Sequence, residues 1–138
     1  MGAIADNLRQ VRDRIGHAAT RAGRDPGTIK LLAVTKTVAM ERIQEAIVAG
    51  ATILGENYVQ EARRKIEAIG QGSIQWHLIG HLQINKAKYA VRLFDLIHAV
   101  DSYNLALELE KRGAASGKVV DCLIEVNVSR SSSRRANL

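Results

Sequence analysis

The chain has 138 residues, of which 46% are hydrophobic and 25% are charged, a composition typical of one globular domain with a real core. Aromatic residues make up only 4%, which argues against a surface built to stack nucleic-acid bases. The formal net charge is +6, but three positive charges lie in the last nine residues, which favours a basic, solvated end over a specific nucleic-acid site.

The first predicted element is an amphipathic helix. Hydrophobic residues recur at spacings of three and four from Ile4 to Ala19, with charged residues between them. The pattern stops near Gly23, and the following Asp25-Pro26-Gly27 is typical of a turn.

Strands and helices are then predicted to alternate along the rest of the chain. Short apolar runs predict the strands, and apolar residues on one helical face predict the helices between them. The strands start roughly every 20–25 residues, which is typical of βα units that form a parallel sheet. The predicted strands span 30–35, 52–54, 74–79, 94–99 and 119–128, and the predicted helices span 40–49, 57–69, 84–92 and 103–112.

Both an open doubly wound sheet and a barrel fit this alternation. No G-x-G-x-x-G sequence follows the first strand, so a dinucleotide-binding sheet lacks its main signature. A complete (β/α)₈ barrel needs about 250 residues, so five strands would be just over half of one.

The last apolar run contains the single cysteine, Cys122, which is predicted to be a small buried hydrophobic residue. A chain with one cysteine forms no internal disulfide, which fits a reducing cytoplasm. No apolar stretch approaches the roughly 20 residues of a membrane span, and residues 1–6 lack the pattern of a signal peptide.

Lys36 stands at the end of the first predicted strand, after a run of aliphatic and β-branched residues. Burial disfavours the charged form of an ammonium, so a lysine buried there would become a neutral amine that attacks carbonyl groups. The alternative is that the side chain extends from the strand into water. The residues at the other strand ends favour a functional lysine.

Polar and charged residues also follow the other predicted strands at their carboxyl ends, where parallel α/β folds carry their sites. We therefore predict that the functional site lies at this edge of the sheet. The residues concerned are Lys36, Gly55, Glu56, Asn57, Gly80, His81, Asp101, Ser102 and Asn127.

His77 and His81 have the spacing of two zinc ligands on a helix. Here they flank a strand end and Gly80, so their side chains are not expected to converge. No cysteine or further histidine is placed to complete a ligand set, and no metal site is predicted. The structural interpretation of His77 is a histidine at the edge of the core that bonds to the backbone.

Two further groups have both a functional and a structural interpretation. Glu56 and Asp101 could act as an acid and a base, but they are more simply a first-turn carboxylate and a helix cap. Asn85 and Lys86, with Lys88 nearby, could bind an anion at a helix start. A solvated helix face is the simpler interpretation of these three residues.

Four segments carry a more specific pattern, namely 31–37 (LLAVTKT), 55–61 (GENYVQE), 76–86 (WHLIGHLQINK) and 123–129 (LIEVNVS). In their sequence, order and spacing they resemble the pyridoxal phosphate homeostasis proteins, which are single-domain relatives of the alanine racemase barrel. The resemblance covers about residues 3–129.

This resemblance implies an α/β fold that forms the N-terminal part of a (β/α)₈ TIM-type barrel, with an N-terminal helix, about four βα units and a fifth strand. It implies that pyridoxal 5'-phosphate (PLP) is held in the barrel mouth as a Schiff base. Lys36 would carry the PLP, Asn57 would lie beside the cofactor, and His77 would line the barrel near its ring.

The implied function is PLP binding, with a carrier or homeostasis role and no substrate turnover, so no catalytic residue is assigned. PLP and PLP-requiring apoenzymes are the implied partners, and neither a specific nucleic acid nor a membrane is expected. Two alternatives stay open. One is a PLP-dependent enzyme acting on amino acids, which needs a second acid or base opposite Lys36, and the other is a truncated fragment without a function of its own.

The resemblance also implies that a family member would continue with further strands after Ser129. Residues 1–129 would then form an incomplete PLP-binding barrel, and residues 130–138 a basic tail that is disordered or aberrant. In the family, the loops that bind the phosphate follow later strands. We therefore expect weak PLP binding by these residues alone and self-association through open barrel edges.

Overall fold

The computed structural model of the chain describes residues 2–129, and the predicted tail at 130–138 lies outside this part. A helix comes first, and strands and helices then alternate as predicted, with short 3₁₀ turns at Pro26–Thr28 and Ile84–Lys86. The elements are α1 (Ala3–Arg21), β1 (Ala33–Val34), α2 (Met40–Val48), β2 (Ile53–Glu56), α3 (Val59–Ile69), β3 (Gln75–Leu78), α4 (Ala87–Leu93), β4 (Leu96–Val100), α5 (Tyr103–Ala115) and β5 (Cys122–Ile124).

The five strands form one parallel sheet in consecutive order from β1 to β5. This arrangement confirms the prediction of four βα units and a fifth strand. The pairing places Val34 beside Gly55 and Gly55 beside His77. Successive strands are therefore aligned closely enough for their carboxyl ends to meet at one edge of the sheet.

The two edge strands of this sheet differ most from the prediction. Regular pairing in β1 covers only Ala33–Val34 of the predicted 30–35, and β5 covers only Cys122–Ile124 of the predicted 119–128. An edge strand has hydrogen-bonding partners on one side only, so its regular pairing ends before its apolar run does. The prediction that Cys122 is buried is wrong, because no layer of the described residues covers β5.

Alternation along the strands gives the sheet two different faces. Leu54, Trp76 and Leu78 lie on the face beneath the helices, and all three are fully buried at 0% exposure. Apolar side chains of α2 to α5 pack onto this face and complete the core. They include Ile43, Val59, Ala62, Ile66, Ala87, Val91, Leu105 and Leu109.

The opposite face of the sheet, which we call the inner face, carries Val34, Gly55, His77 and His98. Gly55 is buried at its centre. A Cβ at this position would lie 2.4 Å from Leu32 Cδ2, so a larger residue would have to displace the Leu32 side chain.

Helix α1 packs against α2 and against the 3₁₀ turn at Pro26–Thr28. Leu8 packs against the core, and the Arg12 guanidinium donates hydrogen bonds to the Ala49 and Gly50 carbonyls just after α2. None of the helices between residues 2 and 129 has the length and hydropathy that crossing a membrane requires.

Candidate functional site

Four of the predicted site residues lie just after strands of the parallel sheet. Lys36 follows β1, Asn57 follows β2, His81 follows β3 and Asp101 follows β4. Because the strands are parallel and in consecutive order, these residues lie along one edge of the sheet. His77, the residue predicted to line the barrel near the PLP ring, lies within β3 on the inner face.

Lys36 is exposed, which agrees with the alternative in which its side chain extends from the strand into water. The regular pairing of β1 ends at Val34, and Lys36 lies in the turn beyond it. Thr35, before it, is buried and donates its N–H to the Gly55 carbonyl at 2.9 Å. Thr37, after it, has a φ of 60°, which β-branched residues rarely adopt. Lys36 thus presents an accessible amine from a constrained turn.

A group of charged residues, Glu56, Glu61 and Lys65, lies directly behind this turn, and we call it the Lys65 cluster. The Lys65 ammonium donates to Glu56 Oε1 at 2.5 Å and to Glu61 Oε1 at 2.8 Å. Its third donor is used by the Thr35 carbonyl at 2.6 Å. Glu61 Oε1 also accepts the Thr37 N–H at 2.6 Å.

The structure gives Glu56 a different role from the one interpreted from the sequence. Glu56 is the last residue of β2, whereas α3 begins at Val59 and has Glu61 in its first turn, so the first-turn interpretation of Glu56 is wrong. Glu56 is fully buried. Thr35 Oγ1 donates to its Oε1 at 2.6 Å, and its Oε2 has no partner among the described residues. The hydrogen bond from Lys65 lowers the pKa of Glu61.

A pair of histidines lies on the inner face. His77 Nδ1 and His98 Nε2 are 3.0 Å apart, a distance at which one neutral ring donates to the other. Burial lowers the pKa of both rings, and the positive charge of a protonated His98 lowers the pKa of His77 further. The partner of His77 is therefore a side chain, and the interpretation as a backbone-bonded histidine is wrong.

We expect this pair to make the folded protein less stable as the pH falls below about 6.5, the ordinary pKa of histidine. The unfolded chain takes up protons in this range, whereas the folded state resists them because the pKa values of His77 and His98 are lowered. Urea unfolding at about pH 7.5 and at about pH 5.5 measures this loss of stability. Both pH values lie above the range in which carboxylates titrate.

The test variant combines His77→Gln with His98→Gln. The matched control is His17→Gln, at an exposed position of α1. The double variant should flatten the dependence of unfolding free energy on pH, and the His17 variant should leave it unchanged. The same slope in the double variant as in the wild type would show that other groups cause it.

His81 and Asp101 form a second contact between strand ends, with His81 Nδ1 lying 3.5 Å from Asp101 Oδ2. The interpretation of Asp101 as a helix cap is wrong, because Ser102 is the N-cap of α5 and its side chain accepts the Leu105 N–H at 3.2 Å. His81 and His77 thus have different partners. Among residues 2–129, no group of three or more His, Cys, Asp or Glu side chains is arranged to hold a metal ion.

A cleft of about 710 Å³ opens between the start of α3 and the loop after β3. A Cβ on Gly80 would lie 2.7 Å from the Asn57 carbonyl oxygen, so glycine lets the loop pass close to Asn57. Of the three candidates for an anion site, Lys86 lines the cleft, whereas Asn85 and Lys88 do not. The lining includes Asn57, Tyr58, Gly80, His81, Gln83 and Lys86.

Two residues that shape this region were not singled out from the sequence. Lys65 lies on an amphipathic helix, where a lysine usually faces water, and its spacing of four from Glu61 was the available signal of a pair. His98 lies on the same face as His77, which becomes evident only when the register between β3 and β4 is known.

The chain matches the family model of the alanine racemase N-terminal domain over residues 1–134. It is 44% identical over 137 residues to the pyridoxal phosphate homeostasis protein of Escherichia coli (strain K12), covering 97% of this chain and 58% of that relative. It is 46% identical over 123 residues to the protein of the same name from Aquifex aeolicus (strain VF5), covering 89% and 54%. The chain thus spans little more than half the length of these relatives.

The fold is similar to that of PipY from Synechococcus elongatus PCC7942 in its structure with PLP bound. The TM-score is 0.80 at 36% sequence identity, and the match covers 93% of this chain and 56% of PipY. This likeness confirms the prediction of the N-terminal part of an alanine racemase-like barrel. The resemblance carried by the four sequence segments is also confirmed, and the chain belongs to the alanine racemase N-terminal domain family, with the pyridoxal phosphate homeostasis proteins among its relatives.

Proposed function

We propose that this protein binds PLP and acts in PLP homeostasis without turning over a substrate. The observation that carries the proposal is the position of Lys36, an exposed amine just beyond the first strand of a parallel sheet. Folds of this kind hold their ligands at the carboxyl ends of the strands. The names of the relatives, and the PLP bound to PipY, support the same ligand.

The residues at this edge fit the chemistry of PLP, which supplies an aldehyde. The lone pair of the Lys36 amine would add to the aldehyde carbon and water would leave, so a C=N bond replaces C=O with no change of oxidation state. The exposure of Lys36 fits this step, because the aldehyde has to reach the amine. Asn57, with an amide that both donates and accepts, and His77 on the inner face would lie beside the ring.

A carrier role is favoured over turnover of amino acids, because turnover needs a second acid or base opposite Lys36. One candidate group at this edge, Glu56, is fully buried and paired with Lys65. In the proposed role, PLP passes to PLP-requiring apoenzymes in the cytoplasm. Self-association through the edge strands β1 and β5 belongs to the same proposal and is supported by the exposed side chains of β5.

Reduction with borohydride in the presence of PLP tests this proposal, because it fixes the bond between lysine and PLP and peptide mapping then locates the added mass. We expect the mass on Lys36, and we expect Lys36→Arg to abolish the visible absorbance of the bound cofactor. Lys30→Arg is the matched control, since Lys30 is also exposed but precedes β1, and it should leave the absorbance unchanged.

Two results would contradict the proposal. Added mass spread mainly over Lys86 and Lys88 would show non-specific amine chemistry. Racemisation, transamination or decarboxylation of amino acids that is lost in Lys36→Arg would show an enzyme and not a carrier.

A further inference from the structure

Side chains of α3 form hydrogen bonds with the backbone of the turn that carries Lys36. Lys65 donates to the Thr35 carbonyl at 2.6 Å, and Glu61 accepts the Thr37 N–H at 2.6 Å. Thr35 and Thr37 are the two sequence neighbours of Lys36. The backbone is therefore fixed immediately before and immediately after the lysine.

Thr37 has a conformation that needs such a contact. Its φ of 60° lies in the left-handed region, which is strained for a β-branched residue. A strained backbone persists only where surrounding contacts determine it, and such strain clusters at functional sites. The contact on the Thr37 N–H is the carboxylate of Glu61, and charged acceptors make the stronger hydrogen bonds.

Two members of the Lys65 cluster are buried, with Lys65 exposed by 6% and Glu56 by 0%. Buried ion pairs contribute little net stability compared with apolar residues of similar volume, because desolvation of the charges opposes their attraction. Their best-attested use is to fix one arrangement among several. The arrangement fixed in this protein is that of the Lys36 turn relative to α3.

We propose that the Lys65 cluster positions Lys36 for attachment of its aldehyde ligand, and that Glu61 sets the turn through Thr37. This inference rests on the proposed function, in which Lys36 binds PLP. Glu61 and Lys65 are positioning residues, since they hold the backbone on either side of Lys36. The attachment itself is the addition of the Lys36 amine to the aldehyde with loss of water.

The test uses variants of Glu61, whose side chain is 28% exposed and whose loss leaves Lys65 paired with Glu56. Glu61→Ala removes the acceptor for the Thr37 N–H, whereas Glu61→Gln keeps an oxygen acceptor without the charge. Glu67→Gln is the matched control, because Glu67 lies on the same helix and its ion pair is with an exposed arginine.

The first measurement needs no ligand and follows amide hydrogen exchange at Thr37 by NMR. We expect exchange about tenfold faster in Glu61→Ala, because the N–H loses its acceptor and the strained turn opens more often. The increase should be smaller in Glu61→Gln and absent in Glu67→Gln.

The second measurement is the amount of PLP trapped on Lys36 relative to Lys88 in the same sample, after brief exposure and reduction. A misplaced amine reacts more slowly, whereas Lys88 is an exposed lysine of α4 outside the cluster and serves as the internal reference. We expect the ratio to fall about tenfold in Glu61→Ala, less in Glu61→Gln and not at all in Glu67→Gln.

An unchanged trapping ratio in Glu61→Ala with native circular dichroism would overturn the inference, since the cluster would then only anchor α3. If Glu61→Ala does not fold, the comparison of Glu61→Gln with Glu67→Gln decides in the same way. A wild-type protein that shows no preference for Lys36 would overturn the proposed function, and this inference with it.

Discussion

Replacing Lys65 with methionine is expected to lower the free energy of unfolding by about 3–5 kcal/mol, because it leaves a buried charge without its partner. Methionine fills a similar volume but donates no hydrogen bond. The fully buried Glu56 carboxylate would keep only the Thr35 hydroxyl as a donor. The Thr35 carbonyl and Glu61 would each lose a donor as well. Urea denaturation with a two-state fit measures the change.

Two further variants show whether burial causes the effect. Arg63→Met removes a cation from the same helix, but Arg63 is 61% exposed and pairs with Glu67, so we expect a change within about 0.5 kcal/mol. Combining Lys65→Met with Glu56→Leu should recover much of the loss, because an apolar pair of similar volume can replace a buried ion pair. A loss in Lys65→Met as small as in Arg63→Met would contradict the buried cluster.

Replacing Trp76 with alanine is expected to lower the free energy of unfolding by about 3–5 kcal/mol. Trp76 lies on the central strand β3 beneath the helices and is fully buried. Its removal leaves a large cavity, and the Gly70 carbonyl loses the indole N–H that it accepts at 3.2 Å. Chemical denaturation, with circular dichroism as the signal, measures the difference.

Tyr103→Ala is the matched control for this variant, because Tyr103 is an aromatic residue that is 77% exposed. Its effect should lie within about 0.5 kcal/mol, as for most surface substitutions. Trp76→Phe should fall between the two, since a ring remains but the hydrogen bond to Gly70 is lost. An unfolding midpoint of Trp76→Ala equal to that of the wild type would place this side chain outside the core.

The alternation and parallel direction of the strands were predictable because the relevant signal is local, whereas their consecutive order was implied only by the family resemblance. Short apolar runs mark strands, and their spacing leaves room for one helix between each pair, which forces parallel crossovers. The lengths of β1 and β5 were not predictable in this way. The residues of an apolar run pair regularly only where a neighbouring strand offers partners, and edge strands have fewer of them.

That the candidate site residues would share one edge of the sheet was also predictable, because the carboxyl ends of parallel strands meet there. The contacts within it were not. Glu56 and Asn57 are adjacent in sequence, yet Glu56 is buried against Lys65 of α3, whereas Asn57 lines the cleft. Which of two neighbours faces the helices depends on register, and the sequence pattern does not fix register to a single residue. The pairing of Glu56 with Lys65 depends further on how α3 packs against the sheet.

The consecutive order of the strands bears on how the chain assembles during synthesis. Each strand from β2 to β5 pairs with the strand made just before it, so the pairing of these five strands waits for no distant segment. Loop-closure entropy rises with the length of the connection, so pairing with the preceding strand costs less than pairing with a distant strand would. The sheet can therefore grow by one βα unit at a time. Until the next unit arrives, the newest strand is an open edge that a neighbouring nascent chain can pair with.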